Sequence, residues 1–556
     1  MLTTLLVALL APEAAACGGF FCNREAPVDQ SGETIVFGVD AEAKTVEMHV
    51  QVEYMGPSES FAWVIPVQGE PDVFLSHSAL FSELPAALPQ LYRIDGDDSA
   101  CTLSTASSAG GGSDPGAGSG TGTGTGTGGP PDDPGVEILD NQLVGAYDVT
   151  TLAADDAGVL VDWLQDNGYD VPDALEDVLV PYIAGDMNFL ALKMRSGASE
   201  GKLSPLGLRY EGTTPAIPIE LTSLAASPDM PLFVYVFGEA RAVPLNYLHV
   251  RINPLAVDYW NNGANYQEAI ALAADEAGGQ AFTTDAMADT DLLRRRVYDP
   301  NQFRPDDLLG DDVAARLVEA LGPAGFSLTD EVLSVLRRHV PLFGEFGSDV
   351  DAYACPSCYP EVFRGLKVDP QAVVDELVEV EVEARANAEL LFTNHAVVTR
   401  LRSSMSPVEM TVDPQFGFNA DLGPPADLST LGIYLQCDDQ VYSPWEAKQE
   451  LYYPDMPMMI IPSSDRLREL GVSEFEYVQG VGQPAALLIE QLGESGDGDI
   501  LVDNRPEIEE AITTEDGFDA FDGSSEAPAG CGCSSAAAPG ALAGLPLLLL
   551  GLARRR

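Results

Sequence analysis

Residues 45–54 read Thr-Val-Glu-Met-His-Val-Gln-Val-Glu-Tyr. Val46, Met48, Val50, Val52 and Tyr54 share one phase of a two-residue period, and Thr45, Glu47, His49, Gln51 and Glu53 the other. Successive side chains of a strand point to opposite faces, so this alternation predicts an antiparallel strand with one face in the core and one in water. His49 falls on the wet face and reads as a surface histidine. Upstream, Thr34 to Val39 is apolar with a β-branched bias; downstream, Phe61 to Val67 is a third strand, closed by Pro66 and Gly69. A three-stranded meander is expected, followed by a short helix near Ser76 to Leu88.

Past Cys101 the chain turns to Gly, Ser, Thr, Asp and Pro until Gly135, with Gly-Thr repeats in the middle. Nothing there can bury apolar surface, so a flexible insertion is expected. Strands return at Val136 to Leu139 and Leu143 to Val149. Asp155 or Asp156 caps a helix whose Ala157, Leu160, Val161 and Leu164 recur at helical spacing, and Asn167-Gly168 ends it. Pro172-Asp173 opens a second helix, Ala174 to Val180, which Pro181 should kink or end. Strands are expected at Asn188 to Met194, Ile217 to Leu224, Leu232 to Phe237 and Tyr247 to Ile252. A helical block follows: Tyr266 to Ala277, Asp307 to Leu321, Leu328 to His339 and Pro370 to Leu390. Met410 to Phe418, Leu431 to Gln436 and Met458 to Ile461 return to strand, and Gly471 to Glu490 adds mixed structure. Strands, a central helical block and strands again argue for an α+β fold with antiparallel or mixed sheets.

The 556 residues carry 28 basic and 87 acidic side chains, a net charge of −59. Such a field excludes nucleic acid as a partner and disfavours direct contact with anionic lipid headgroups. A hydrophobic content of 46% fits a globular body and excludes wholesale disorder.

Both ends read as targeting segments. Leu2 to Leu10 is apolar, and Ala14-Ala15-Ala16 offers a signal peptidase a site after Ala16, leaving Cys17 first. No Lys or Arg precedes that core, so either the amino terminus alone supplies its charge or the start lies elsewhere. Cys17 also admits a lipoprotein reading, although Ala14 stands where such signals carry Leu. At the other end, Gly530-Cys-Gly-Cys-Ser-Ser535 precedes an uncharged run, Ala536 to Ala553, and Arg554-Arg555-Arg556 closes the chain. As a helix that run would be about 27 Å long, close to a bilayer core, with the arginines held on the cytoplasmic side. Paired cysteines, an apolar run and an Arg cluster in this order resemble the myxobacterial C-terminal sorting signal (MYXO-CTERM). The resemblance implies a sorting protease as partner, processing and lipid attachment at Cys531 or Cys533, and a mature protein on the cell surface.

A second resemblance spans the body. Cys17-Gly-Gly-Phe-Phe-Cys22, Val144-Gly-Ala-Tyr-Asp-Val149, Trp163-Leu164 with Asn167-Gly-Tyr169, Phe189-Leu-Ala-Leu-Lys193, Ser204-Pro-Leu206 and the block from Arg400 to Pro414 resemble the bacterial domain-of-unknown-function family numbered 2330. The likeness runs from Cys17 to about Pro462 and implies that the Gly-Thr tract is an insertion within one family unit. It supplies no activity.

The chain holds eight cysteines, and in an exported protein most are expected to be oxidised. Cys17 and Cys22 close a small loop that suits a local disulfide. Cys355-Pro-Ser-Cys358 is the sharpest motif. A redox pair needs a thiolate stabilised at a helix start, but its approach from Gly347 to Tyr353 is loop-like and acidic, so a structural disulfide is expected. Cys101 and Cys437 are the remaining disulfide candidates of the body. The acid pairs Asp155-Asp156, Asp311-Asp312, Asp438-Asp439 and Asp497 with Asp499 read as surface charge in so acidic a chain. Asp497 to Leu501 lacks the third ligand of a calcium loop. His77, His249, His339 and His395 are scattered, and no hydrolase elbow, zinc-protease helix or phosphate loop occurs.

The expected organisation is a signal peptide at 1–16, a β-meander at 17–101, the insertion at 102–135, an α+β part at 136–260, a helix-rich part at 261–395, a mixed part at 396–493, an acidic stalk at 494–529 and the sorting tag with its membrane helix at 530–556. The stalk holds twelve acids against Arg505 alone. The function expected is an exported, membrane-anchored binding or structural module with an unknown surface ligand, without catalytic residues, cofactor or metal site beyond weak calcium stabilisation. A secreted hydrolase with a carboxylate dyad is the alternative, and an envelope thiol–disulfide protein using Cys355 and Cys358 the weaker one.

Overall fold

In the computed structural model, Glu33–Asp40 and Thr45–Val50 form a hairpin that turns at Lys44 in the left-handed region. The structure describes residues 20–21, 32–97 and 135–513, apart from 52, 55–61, 146, 170, 173, 195–200, 203, 225, 299–302, 345–346, 437–443 and 481–482. The hairpin lies inside a ten-stranded mixed sheet. Glu33–Asp40 pairs in parallel with Met230–Gly238, which pairs antiparallel with Val397–Met405. Beyond it come Ala281–Asp289, Leu248–Ile252, Ala486–Gln491 and the edge strand Asp499–Asp503.

The third strand of the expected meander goes elsewhere. Ala62–Val67 pairs with Asn188–Met194 in a five-stranded sheet that also holds Tyr147–Ala154 and Val136–Val144. Ile35, Phe37, Val46, Met48 and Val50 of the large sheet pack against Trp63, Ile65, Leu190 and Leu192 of the small one, with the helices Asp330–His339 and Pro370–Val380 closing the same core. The outer face of the small sheet is covered by Ala157–Asp166 and Leu175–Ala184. Asp156 caps the first of these, accepting from the Val159 amide. The second helix runs through Pro181, which lies in its last turn.

The supposed wet face of residues 45–50 is covered at His49, while Thr45 and Glu47 stay half-buried. The helices Ala79–Ala87, Thr290–Val297 and Val382–Asn394 pack over Val36, Tyr235, Phe237 and Val398. His49 is therefore 0% exposed, with Nδ1 2.7 Å from the Ser76 hydroxyl and its ring edge-on to Phe74. A period of two shows that two faces differ, and here the less apolar face lies beneath helices.

Other expectations are corrected. Ile217 to Leu224 is a single helical turn, Ile219–Thr222, after Pro218, which has no amide to give a ladder. The helix expected from Asp307 becomes a 3₁₀ turn, Pro305–Leu308, and a shorter helix, Ala314–Ala320. The helix expected over 370–390 breaks at Glu381, whose buried carboxyl accepts from the Thr329 hydroxyl at 2.6 Å. The acidic stretch from 494 is not a free stalk in its described part. Asp499–Asp503 extends the large sheet, and Arg505–Thr513 turns Ile508 and Ile512 inward, four residues apart on one face, into a second core with Val250, Leu431 and Leu488. Among the described residues no helix is long and apolar enough to cross a membrane, and the run from 536 to 553 lies outside them.

Candidate functional site

The strand Leu248–Ile252 sits between Ala281–Asp289 and Ala486–Gln491, and its register sets His249 opposite Glu490. His249 Nδ1 lies 3.1 Å from Glu490 Oε2, and the Thr284 amide donates to Nε2 at 3.3 Å. A ring nitrogen that accepts from an amide carries no proton, so Nδ1 holds it and donates to Glu490. Burial pushes His249 below the ordinary histidine value, in keeping with a neutral ring. Burial pushes the Glu490 carboxyl up, but the His249 hydrogen bond and the Arg251 guanidinium outweigh it and hold the carboxyl below its usual range. Arg251 Nη2 lies 3.2 Å from Glu490 Oε1.

His249, Arg251 and Thr284, with Glu490 outside the lining, form one wall of a cavity of about 360 Å³, within the size range of small-molecule sites. Gln90, Tyr266 and the loop residues Pro424, Pro425, Ala426, Leu428 and Asp455 line the rest, together with Arg505 at the start of the last helix. Asp285 lines it from a β-bulge: the register shifts between Thr284 and Ala286, and the extra residue turns its carboxylate to Arg400 at 2.6 Å and Arg402 at 3.3 Å.

Arg241 enters from the two-stranded ladder of Arg241–Pro244 with Phe416–Asn419. It is only 8% exposed. Nη1 donates to the Gly423 carbonyl at 3.1 Å and Nη2 lies 3.5 Å from His249 Nε2, while Nε has neither acceptor nor solvent contact. Among the described residues no carboxylate pairs with it, whereas Arg251 has Glu490 and Arg505 has Asp503. Burial pushes its pKa down, with the Arg251 charge adding to the effect and the Glu490 charge opposing it.

A second cavity, of about 500 Å³, has the opposite character. Tyr182, Glu220 and Asp413 line it, and Asp413 Oδ1 accepts from the Tyr182 hydroxyl at 3.0 Å and the Glu220 amide at 3.1 Å. Burial pushes Asp413 up to about 7 against both hydrogen bonds. Glu33 is also pushed up to about 7 by burial, and the Asp413 charge contributes.

Of the residues singled out from sequence, Cys355 and Cys358 form a disulfide. They follow a short helix, Asp349–Ala354, where a loop was expected. That places Cys355 at the negative end of the helix, the wrong end to stabilise a thiolate. Cys17, Cys22, Cys101, Cys437, Cys531, Cys533, Ala16 and Arg554 to Arg556 lie outside the described residues. Asp156 is a helix cap, Asp311 and Asp312 pair with Arg316 and Lys367, and no group of three or more metal-ligating side chains occurs among the described residues. On sequence alone His249 is one of several scattered histidines, and no motif there marks Arg241 or Glu490. The scarcity of basic residues was the one signal that could have drawn attention to an arginine followed by apolar residues.

The strands that bring in Arg241, His249 and Asp285 lie within residues 11–292, the span matched by a family model described as an uncharacterized protein conserved in bacteria (DUF2330). That span is just over half of the chain. The chain belongs to the DUF2330 family. The DUF2330 match ends before the block from Arg400 to Pro414 and before Glu490 and Arg505, so the cavity joins residues inside the matched span to residues beyond it. No curated protein and no solved structure matches the chain.

Proposed function

We propose that this DUF2330 protein is an exported, surface-anchored binding module whose ligand seat is the cavity beside His249. What carries the reading is a polar wall fixed before any ligand arrives: Glu490 and the Thr284 amide set the tautomer and orientation of His249, and Arg251 is held by the same carboxylate. Apolar walls with a few convergent polar groups are what small-molecule seats have in common. The placement at the surface draws on the tail: Cys531 and Cys533, the run to Ala553 and the three terminal arginines. Ala426 lines the cavity from an exposed loop, so Ala426→Trp fills the seat without disturbing a core. Compounds that raise the melting temperature of the wild type and lose that effect in Ala426→Trp support the seat; a compound screen that treats both proteins alike overturns it. Deleting 531–556 in a Cys17→Ser background should release the protein into the medium, and retention on cells would overturn the anchoring.

A hydrolase working through two carboxyls draws on Asp413, which keeps its proton near neutral pH as a general acid must. Against it, Asp413 Oδ1 already receives two hydrogen bonds from the protein. Hydrolysis of nitrophenyl glycosides that Asp413→Asn abolishes would favour this reading over binding.

A further inference from the structure

We propose that the cavity takes a small organic acid, a single carboxylate on a compact apolar body, and that Arg241 is the anchor of that carboxylate. The inference rests on the cavity being a ligand seat and adds the chemistry of the ligand.

Around the cavity five guanidiniums, Arg241, Arg251, Arg400, Arg402 and Arg505, meet four carboxylates, Asp285, Asp455, Glu490 and Asp503. Arg251 answers Glu490, Arg505 answers Asp503 with the Asp455 charge also acting on it, and Arg400 with Arg402 encloses Asp285. Arg241 is left over. In a chain with 87 acidic side chains against 28 basic ones, a buried guanidinium without a carboxylate is not short of candidates. Among the described residues none comes within ion-pair distance, and Glu490, which acts on Arg241 from farther off, is committed to Arg251 and His249.

The donors agree with the charge. A guanidinium offers five N–H groups in a fork that matches a carboxylate. Those of Arg241 find two acceptors among the described residues, and the contact with His249 is long at 3.5 Å. With Nε2 accepting from the Thr284 amide, the His249 ring carries one proton and lends no second positive charge. The surplus of one favours a monoanion. A phosphate dianion would overshoot it, with Asp285 and Asp455 in the lining to repel the excess. The remainder of the wall suits hydrocarbon: Val250, Ile252, Leu428 and Leu488 face the cavity.

The test is thermal unfolding of the full chain at fixed ionic strength with benzoate and butyrate, their amides benzamide and butyramide, and inorganic phosphate. Both carboxylates should raise the melting temperature in a saturable way, and the amides should not. In Arg241→Leu the half-saturating concentration should rise about tenfold to a hundredfold, as expected for loss of a charge-assisted fork. Arg241→Lys should fall between, because a point charge replaces the fork. The ligand-free Arg241→Leu protein should melt no lower than the wild type, since its change removes an uncompensated buried charge; a large drop would mark Arg241 as a structural residue. Equal effects of acids and amides, or unchanged carboxylate affinity in Arg241→Leu, would overturn the ligand class and leave the seat standing. Stabilisation by phosphate alone would mean an adventitious ion only. If Ala426→Trp also matches the wild type with every compound, the seat itself falls.

Discussion

The Tyr182 hydroxyl donates to Asp413 Oδ1 at 3.0 Å, across 231 residues of sequence. Asp413 nevertheless has its pKa raised from 3.8 to about 7, because burial outweighs the hydrogen bonds. The folded protein therefore keeps this proton at pH values where the unfolded chain has released it. Stability falls as pH rises across that window, by at most ~1.4 kcal/mol per pH unit for one carboxyl, and levels off above about 7. Asp413→Asn keeps an oxygen to accept from Tyr182 and removes the titration. Urea unfolding between pH 4.5 and 7.5 should show the wild type losing stability relative to the variant as pH rises. A constant difference would mean that Asp413 is ionised in the folded state throughout. Glu33 titrates in the same direction, and because the Asp413 charge adds to its shift the comparison is made in a Glu33→Gln background.

Glu490 is 3% exposed and serves both His249 and Arg251. Glu490→Gln preserves the shape but removes the charge that Arg251 answers, and its amide cannot accept at both positions. The expected loss is about 2 kcal/mol at neutral pH, the usual scale for a buried, charge-assisted hydrogen bond. Urea midpoints report it. An unchanged midpoint would show that the three side chains do not act together in solution.

Sequence reading placed the strands better than it placed the site, and the two outcomes share a cause. Asn188–Met194 was expected to the residue, because Phe189, Leu190, Ala191 and Leu192 form a local apolar run. Five strands of the large sheet escaped notice: Asp72–Leu75, Leu206–Glu211, Ala281–Asp289, Val397–Met405 and Asp499–Asp503. Ala281–Asp289 is rich in Thr and Asp, and Val397–Met405 carries Arg400 and Arg402; their polar residues are matched only by partners far along the chain. The site follows the same rule. His249 meets Glu490 across 241 residues, and no spacing in the sequence announces it. The disulfide of Cys355 with Cys358 was legible because its partners are three residues apart.

That disulfide closes a very short loop, so it restrains the unfolded chain little. Replacing both cysteines by serine should cost about 2 kcal/mol or less. Non-reducing peptide mapping should find the pair oxidised in the purified protein. Free thiols at both positions, or a loss of stability well beyond this, would contradict the structural reading.

Gly263 follows Asn262 in a left-handed turn, with φ of 70° and 53°. A Cβ at Gly263 would lie 2.0 Å from Tyr92 Cδ2, and Tyr92 is itself wedged against Tyr259 and Tyr266 in the second core. Gly263→Ala therefore adds backbone strain to a clash that Tyr92 cannot easily relieve. The expected loss is about 2–3 kcal/mol, seen as a lower melting temperature. Gly278, also at positive φ but with open space around its Cβ position, is the control: its alanine variant should show only the smaller cost of the backbone.

The charge of −59 sets the last expectation. Repulsion among exposed carboxylates opposes the compact state most at low salt, where the Debye length reaches about 30 Å at 0.01 M. At about 0.15 M it shortens to about 8 Å, so sodium chloride should raise the melting temperature. Ion pairs oppose this trend, since screening also weakens Arg337 with Asp349 or Arg294 with Glu389. With 28 basic residues against 87 acidic ones, repulsive pairs outnumber attractive ones and should prevail. Calcium at millimolar concentration should stabilise further by bridging neighbouring carboxylates, and magnesium less, because it gives up its water reluctantly. The described residues hold no cluster of three or more ligands, so the calcium effect should rise gradually without a sharp midpoint. Saturation at micromolar calcium would instead place a true site in the undescribed residues, Asp438 and Asp439 among them. A melting temperature flat in both salts would show that the charges lie too far apart to act on one another.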